Sequence, residues 1–405
     1  MNKQEQITPS SEHLWLRVIG FVLALAVAVG AFTFAVTSIG RKESGYQRIE
    51  ATSDPEALRL SQSVEFQVYV KGSSSEIKRA VNELSAVYTP ALLRVSRLLD
   101  AETEYEDLVN IASLNAHPGE DLAVDGELYE LLLDAQEKSR AGEGFLLFAG
   151  PFLRAWQDVL YLAEPQDFDP LRSDTERERL QKLLAAASDP ESCALIPVDD
   201  EKHVLRLVIS EEYRRVLQET EQEGPVLDLG LLHDAYELRL LRDALTQAGF
   251  GGGYLSMASG VTVVLPGNPG GELCLYGRGA EGMTPAAVTP AVGGRAASVI
   301  RCFAAWEGEP GYYELDGVLR HPWLPASGEH RSLLLGSMVV ADDPVEACLL
   351  NLRLQDCASE DELQAMAEGS GAQVAWILND AEQTVFVTDE AITAREDYGW
   401  KAVRK

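Results

Sequence analysis

The stretch of sequence that decides the fold runs from Leu227 to Gly249 and is LDLGLLHDAYELRLLRDALTQAG. Its apolar residues recur every three or four positions, which predicts an amphipathic helix with one buried face. Asp234 and Glu237 have the spacing of a capping box, so we expect Asp234 to cap the helix and Gly249 to end it. The expected buried face consists of Ala235, Leu238, Leu241, Leu245 and Ala248.

Short strands are expected on the C-terminal side of this helix. Residues 261–265 (VTVVL) and 272–276 (ELCLY) flank a turn rich in Gly, Pro and Asn, and this pattern predicts a hairpin. Asp316-Gly317 lies between two short strand-like runs and predicts a second hairpin. Further strands are expected at 337–341, 373–378 and 384–387, and short helices at 344–355 and 359–368.

Helices dominate the N-terminal side. Residues 64–70 (VEFQVYV) alternate as a strand does, and the segments that follow predict three helices. These run over about 72–99, with a break near Pro90, over 125–140 and over 175–187. Because helices interrupt the strands irregularly and hairpins are frequent, the sequence predicts an α+β domain.

The order of motifs from about Asn115 to Asp389 resembles that of the ApbE-type family, the FAD:protein FMN transferases. Residues 228–236 (DLGLLHDAY) stand where that family has Asp-Leu-Gly-Gly-Ile-Ala-Lys-Gly-Tyr, and residues 321–328 (HPWLPASG) stand where it has His-x-x-Asp-Pro-x-Thr-Gly. The resemblance implies the family's fold, with mixed sheets and flanking helices. It also implies that the family's flavin-site positions are occupied here by Asn115, Gly150, Asp228, Gly230, Tyr236, Ser256, His321 and Gly328.

The residues differ from the family at most positions that carry its chemistry. The resemblance places Cys348 and Leu352 where the family has its metal-binding Asp and Thr, and Asp234 where it has a lysine. Leu146 and Leu324 stand where it has aspartates. Two loops of the flavin site also differ, namely residues 256–260 (SMASG) for Asn-x-Gly-Gly-Asp and 299–301 (VIR) for Thr-Ser-Gly.

These differences bear on the family's reaction, which uses Mg²⁺ to split FAD and transfers FMN to a Thr or Ser of a partner protein. Magnesium requires oxygen ligands, whereas Cys348 supplies sulfur and Leu352 supplies no ligand. We therefore expect neither a magnesium site nor a bound cofactor, with FAD and Mg²⁺ bound only if the family's activity is retained. His321 and Asp234 are the remaining candidates for acid–base catalysis. A helix cap would also explain Asp234, and a histidine without a carboxylate partner is more often structural.

The chain is strongly acidic. Its 405 residues include 64 acidic and 34 basic side chains, for a formal net charge of −30. Such a surface repels phosphate backbones, which argues against nucleic-acid binding. The five cysteines form no CxxC motif, so they indicate neither a disulfide framework nor a zinc site, and His203 and His233 lack the spacing of metal ligands.

Residues 18–39 (VIGFVLALAVAVGAFTFAVTSI) form an uncharged run of 22 residues. As a helix it would cross a hydrocarbon core of about 30 Å, which favours a transmembrane anchor. A cleaved signal peptide is the alternative, but its apolar region is usually shorter, about 7–15 residues. Flanking charges do not settle the orientation, and we expect the main domain outside the cytoplasm, in the periplasm or at the cell surface. The expected division is a tail over 1–17, the anchor, a stalk over 40–60, the ApbE-like domain over 61–395 and a tail over 396–405.

Three functions are compatible with these observations. A preserved scaffold, altered metal positions and an anchor favour a non-catalytic relative that serves as a binding or assembly subunit of a membrane redox complex, with membrane proteins as partners. The second possibility is an active FAD:protein FMN transferase with a rearranged site. The third is a protein that binds flavin without transferring it.

Overall fold

The structure is a computed structural model that describes residues 44–52, 54–279, 282–380 and 382–405. The described residues fall into two compact units. The smaller contains residues 44–45 and 70–81, and the larger contains residues 46–69 and those from 82 onwards. All candidate site residues and the cavities described below lie in the larger unit.

The α-helices and β-strands alternate irregularly along the chain. The α-helices are α1 (Pro55–Leu60), α2 (Ser74–Leu99), α3 (Ile111–Ala116), α4 (Gly126–Arg140), α5 (Gly150–Leu160), α6 (Asp174–Ser188), α7 (Glu211–Glu219), α8 (His233–Gln247), α9 (Pro344–Gln355) and α10 (Glu360–Gly369). The strands are β1 (Gly45–Ile49), β2 (Val64–Val70), β3 (Leu122–Ala123), β4 (Cys193–Asp199), β5 (Val204–Ile209), β6 (Gly253–Met257), β7 (Val261–Val264), β8 (Glu272–Gly279), β9 (Gly282–Pro290), β10 (Ala296–Arg301), β11 (Tyr313–Leu315), β12 (Val318–Arg320), β13 (Leu334–Ala341), β14 (Gln373–Leu378), β15 (Thr384–Val387), β16 (Thr393–Ala394) and β17 (Lys401–Arg404).

A large sheet organises the larger unit. Its strand order is β1-β2-β6-β7-β10-β13-β14-β15-β17, and smaller sheets have the orders β16-β9-β8, β3-β5-β4 and β11-β12. The pairing is antiparallel between β10 and β13 but parallel between β15 and β17, so the large sheet is mixed. The architecture is α+β, as the sequence predicts.

Helices α8 and α9 cover the central strands. α8 contacts β6 and β7, α9 contacts β10 and β13, and the two helices also contact each other. The predicted apolar face of α8 is buried from Ala235 to Leu245, whereas Ala248 is exposed at the C-terminal cap. Burial of this face holds the N-terminal turn of α8 beside the sheet.

The start of α8 differs from the prediction. The helix begins at His233, and its N-cap, Leu232, makes no side-chain hydrogen bond to the first turn. Asp234 therefore lies inside the helix and is not its cap, so the predicted capping box with Glu237 is wrong. The turn at Gly230–Leu232 already directs the chain into the helix, which leaves both carboxylates free for other contacts.

The first hairpin prediction is also wrong, whereas the second is confirmed. β7 pairs with β6 and β10 in the large sheet, and β8 pairs with β9 instead. β7 pairs with β6 across a short turn and with the more distant β10, so both of its edges are hydrogen-bonded within the large sheet. Asp316 and Gly317, with φ of 52° and 80°, join β11 to β12 as predicted.

Pro90 does not break its helix, because α2 runs without interruption from Ser74 to Leu99. A proline inside a helix costs about 3 kcal/mol or more. The buried side chains of Tyr88, Leu92 and Val95 lie on either side of Pro90, and their packing offsets this loss.

The two ends of the domain are more ordered than expected. The predicted stalk, residues 40–60, contains β1 and α1, and the predicted tail, residues 396–405, contains β17, which extends the large sheet by pairing with β15. The large sheet supplies hydrogen-bond partners for β1 and β17, and Asp54 caps α1. Residues 18–39 lie outside the described residues, and among the described helices none has the length and apolar character that crossing a bilayer requires.

Candidate functional site

A cavity of about 590 Å³ lies against β6, β7, β8 and β10. Ser256, Ser259 and Gly260 line one side, and Val299 and Arg301 of β10 line another. Much of the remaining wall is aromatic, formed by Tyr46, Tyr254, Tyr276, Tyr312 and Trp323. Its volume lies within the range of about 300–1,000 Å³ that is usual for small-molecule sites.

Arg301 is the basic side chain in the wall of this cavity. Its Nη atoms donate hydrogen bonds of 2.7 and 2.6 Å to the two carboxylate oxygens of Glu309, and its guanidinium lies 4.3 Å from the ring centroid of Tyr312. Burial raises the pKa of Glu309, but the bonds from Arg301 outweigh this and lower it. The charge of Arg301 is thus neutralised within the protein and is poorly placed to bind a diphosphate.

A second cavity, of about 20 Å³, contains the substituted positions. Leu146, Leu324 and Leu352 come from three distant parts of the chain and line it together, with Phe145 and Phe152 beside them. It has room for about one water molecule and offers hydrocarbon where an ion would need oxygen. These residues do not fit a magnesium ion.

Cys348 lies on α9 and is fully buried. Burial raises the pKa of its thiol to about 12, and the charge of Asp234 adds to this increase. The Sγ atom lies 3.5 Å from the carbonyl oxygen of Leu231 and acts as a donor. This sulfur is a soft ligand and does not suit magnesium, which requires oxygen.

Four predicted flavin-site residues support the loop that precedes α8. The side chain of Asn115 bonds to the backbone of Val226 and Leu227, and Asp228 accepts a hydrogen bond of 2.8 Å from the backbone N–H of Gly230. At Gly150 a Cβ atom would lie 2.2 Å from the carbonyl oxygen of Pro225. These residues pack the loop and do not line the large cavity.

Three other predicted residues are also packed away from the large cavity. The hydroxyl of buried Tyr236 donates to Asp134 over 3.1 Å, and Gly328 has φ of 73° against Leu184. His321 is buried with its ring edge-on to His330, at 4.2 Å between centroids. Burial and the nearby positive groups hold the pKa of His321 well below its usual range, so its ring stays neutral and shielded from substrate. Of the predicted flavin-site residues, Ser256 is the one that lines the large cavity.

A cluster of three side chains at the start of α8 was not predicted from the sequence. His233 Nδ1 lies 3.3 Å from Asp234 Oδ1 and 3.8 Å from Glu237 Oε2. Burial lowers the pKa of His233, but the Asp234 hydrogen bond and the charges of nearby carboxylates outweigh it and raise the pKa to about 9. The i,i+4 spacing of His233 and Glu237 was a usable signal, because it places both side chains on one helical face.

Comparison with solved structures identifies the fold. The chain superimposes on the ApbE protein of Thermotoga maritima with a TM-score of 0.56 at 17% identity, covering 82% of this chain and 94% of that one. The flavin transferase ApbE of Vibrio cholerae gives a TM-score of 0.54 at 12% identity, with 88% and 98% covered, and a variant of it gives 0.56 at 14%, with 87% and 97% covered. This chain has the ApbE fold. No protein-family model and no curated protein matches its sequence.

Within the ApbE fold, several of the substituted positions fall into two places. The loop residues 256–260 and 299–301 meet at the large cavity, through Ser256, Gly260, Val299 and Arg301 among others. Leu146, Leu324 and Leu352 meet at the small apolar cavity. The size and lining of the large cavity are those of a small-molecule site, whereas these three leucines give the small cavity no polar group for catalysis.

Proposed function

We propose that this chain is a non-transferring protein with the ApbE fold that binds a flavin, or a similar planar molecule, in its large cavity. The observation that carries this proposal is the meeting of Leu146, Leu324 and Leu352 in one small apolar cavity. Splitting a pyrophosphate requires a cation on its oxygens, since negative charge develops there in the transition state. These three leucines supply neither ligands nor charge for that step.

The aromatic lining supports retention of ligand binding. Rings such as Tyr254, Tyr276 and Trp323 can stack against a planar ligand or meet its edge. Arg301 is held by Glu309, and Glu272 also lines the cavity, so the charges favour a ligand with little phosphate. We therefore expect riboflavin to bind more tightly than FMN, and FMN more tightly than FAD.

Quenching of flavin fluorescence tests the binding claim on the full chain purified in detergent. We expect saturable quenching by riboflavin, and Tyr276→Ala should weaken binding by about tenfold, which corresponds to the loss of one aromatic contact of about 1.4 kcal/mol. Tyr398→Ala is the matched control, because Tyr398 is also partly exposed but does not line the cavity. Absence of saturable quenching, or equal losses in both variants, would refute binding in this cavity.

In-gel fluorescence tests the claim that transfer is lost. The full chain is incubated with FAD, Mg²⁺ and an acceptor protein bearing a Thr acceptor site, then denatured and separated. We expect no fluorescent acceptor band from this chain, with an active transferase run in parallel to show that the acceptor is competent. Labelling of the acceptor by this chain would overturn the proposal and favour the active-enzyme alternative.

The apolar run of residues 18–39 supports a second, compatible role as a membrane-anchored assembly subunit of a redox complex. An anchor that contacts other helices contributes to partner binding, and small residues let helices approach closely. Exchange of residues 18–39 for an unrelated transmembrane helix should keep the chain in the membrane and remove partners that co-purify with it. If every partner remains with the exchanged chain, the segment is only a tether.

A further inference from the structure

The cluster of His233, Asp234 and Glu237 has no part in the function proposed above, yet its geometry is that of a binding site. One ligand atom from each of the three side chains lies within 4.8 Å of the other two. Nδ1 of His233 is 3.3 Å from an oxygen of Asp234 and 3.8 Å from one of Glu237. Atoms that share an ion at about 2.0–2.2 Å have similar separations from one another.

With both carboxylates ionised and the imidazole protonated, the cluster carries a net charge of −1. Among the described residues, the ion pairs of Asp234 and of Glu237 are with His233 alone, so two carboxylates face one imidazole. The Glu237 side chain is only 8% exposed, and a carboxylate in such a place requires neutralisation. A divalent ion bound in place of the imidazole proton would bring the cluster to neutrality.

Surrounding groups orient the cluster for a ligand. The Ser96 hydroxyl donates a hydrogen bond to Oε1 of Glu237, while Oε2 faces His233. Outer hydrogen bonds of this kind hold metal-binding carboxylates in position. In addition, the hydroxyl of Tyr88 is completely buried, has no hydrogen-bond partner among the described residues, and lies near enough for the charge of Glu237 to raise its pKa. A buried hydroxyl without a partner is rare, and a water molecule on an ion at Glu237 could supply one.

We propose that His233, Asp234 and Glu237 bind one divalent transition-metal ion, for which zinc is the best match. One nitrogen and two oxygen ligands suit zinc, whereas magnesium prefers oxygen alone. Three protein ligands leave a coordination position open for water or substrate. Because α8 contacts β6 and β7, whose residues line the large cavity, the ion would lie near that cavity. The proposed ligand set includes neither Leu352 nor Cys348.

Zinc titration of the full chain, purified in detergent and stripped with a chelator, tests the proposal. Calorimetry should show one saturable zinc site per chain with a Kd below about 10 µM. Mg²⁺ at about 1 mM should not compete with zinc for this site. Co²⁺ should give visible absorption bands that added zinc removes.

Two variants and a matched control locate the site. His233→Asn and Glu237→Gln should each weaken zinc binding at least about 100-fold, beyond the 10–100-fold loss typical of outer-shell partners. His117→Asn is the control, because His117 lies 3.3 Å from Glu104 on an exposed surface and should leave the affinity unchanged. Glu237 is buried, so circular dichroism checks its folding, and the one-third-exposed His233 provides the variant of lower structural risk.

The zinc-binding results test the proposed site independently of the flavin experiments. Loss of both the calorimetric site and the cobalt bands in His233→Asn, with both retained in His117→Asn, would support the site. Absence of saturable zinc binding by the unaltered chain would overturn it, as would unchanged affinity in folded His233→Asn. A loss shared by His117→Asn would assign the binding to surface carboxylates instead.

Discussion

Replacement of Asp169 by asparagine should destabilise the protein strongly, because Asp169 neutralises a buried arginine. Its carboxylate is completely buried and accepts two hydrogen bonds of 2.8 Å from Arg320. It also accepts bonds of 2.8 Å from the hydroxyl of Tyr313 and from the backbone N–H of Leu171. Burial raises the pKa of Asp169, but these bonds outweigh it and lower the pKa, so the group is ionised at neutral pH.

The expected loss of stability follows from the charge of Arg320, which remains unpaired after the substitution. Arg320 is 8% exposed, packs over Trp156 and faces the neutral ring of His330, so no other group there can take up its charge. Removal of one partner from a buried ion pair costs about 3–5 kcal/mol. For a folded region of roughly 360 residues, an unfolding entropy of about 2.1 cal/mol/K per residue converts this into a fall in Tm of about 4–7 °C.

Thermal unfolding of the full chain in detergent, followed by circular dichroism, measures this loss. Asp174→Asn is the matched control, because Asp174 pairs with Arg177 at 2.7 Å but is 85% exposed, and exposed pairs contribute about 0–1 kcal/mol. Adding Arg320→Met to Asp169→Asn should recover part of the loss, since no charge then remains unpaired. If Asp169→Asn lowers Tm no more than Asp174→Asn, or if the double variant is less stable than the single one, the reasoning is wrong.

Two further predictions concern neighbouring parts of the fold. The pKa of His330 is lowered to about 3, chiefly by burial, and that of His321 is also lowered; the unfolded chain therefore binds protons below about pH 6.5 that the folded chain does not. As the pH is lowered from about 6.5 to 4, the free energy of unfolding should fall by up to about 2.7 kcal/mol per pH unit for the two histidines together. Urea titrations at several pH values measure this dependence. A smaller change of the free energy with pH in a variant with both histidines changed to Gln would confirm that these histidines cause it. Gly150→Ala should cost about 2 kcal/mol or more, because its Cβ would lie 2.2 Å from the carbonyl oxygen of Pro225. Gly369→Ala, where a Cβ meets nothing within 4 Å, should change stability by less than about 0.5 kcal/mol in the same urea assay; equal effects would contradict the packing argument.

Local patterns determined a large part of this fold. The apolar period of residues 235–245 depends only on spacing along the chain, and the helix it predicts is present as α8. Asp316 and Gly317 both adopt positive φ, and an Asp-Gly pair favours this conformation in a tight turn. The hairpin of β11 and β12 follows from that local preference. The order of motifs likewise indicated the ApbE fold, and part of the geometry of the Asp228-Leu229-Gly230 loop is local, since the N–H of Gly230 donates to the Asp228 carboxylate.

The start of α8 shows the limit of local information. His233, Asp234 and Glu237 lie within five residues of one another, but their relation depends on which residue begins the helix. A capping box would have assigned both carboxylates to the backbone. Because the turn at Gly230–Leu232 leads into the helix, they face the imidazole instead.

Tertiary structure alone decided which distant residues share a site. Leu146, Leu324 and Leu352 lie far apart in the sequence, and only the tertiary structure shows that three separate segments bring them to one small cavity. Asp169 and Arg320 are 151 residues apart, so no pattern along the chain could pair them. Side-chain periodicity predicts which face of a helix or strand is buried. It does not predict which residues that face packs against, because packing depends on the path of the whole chain.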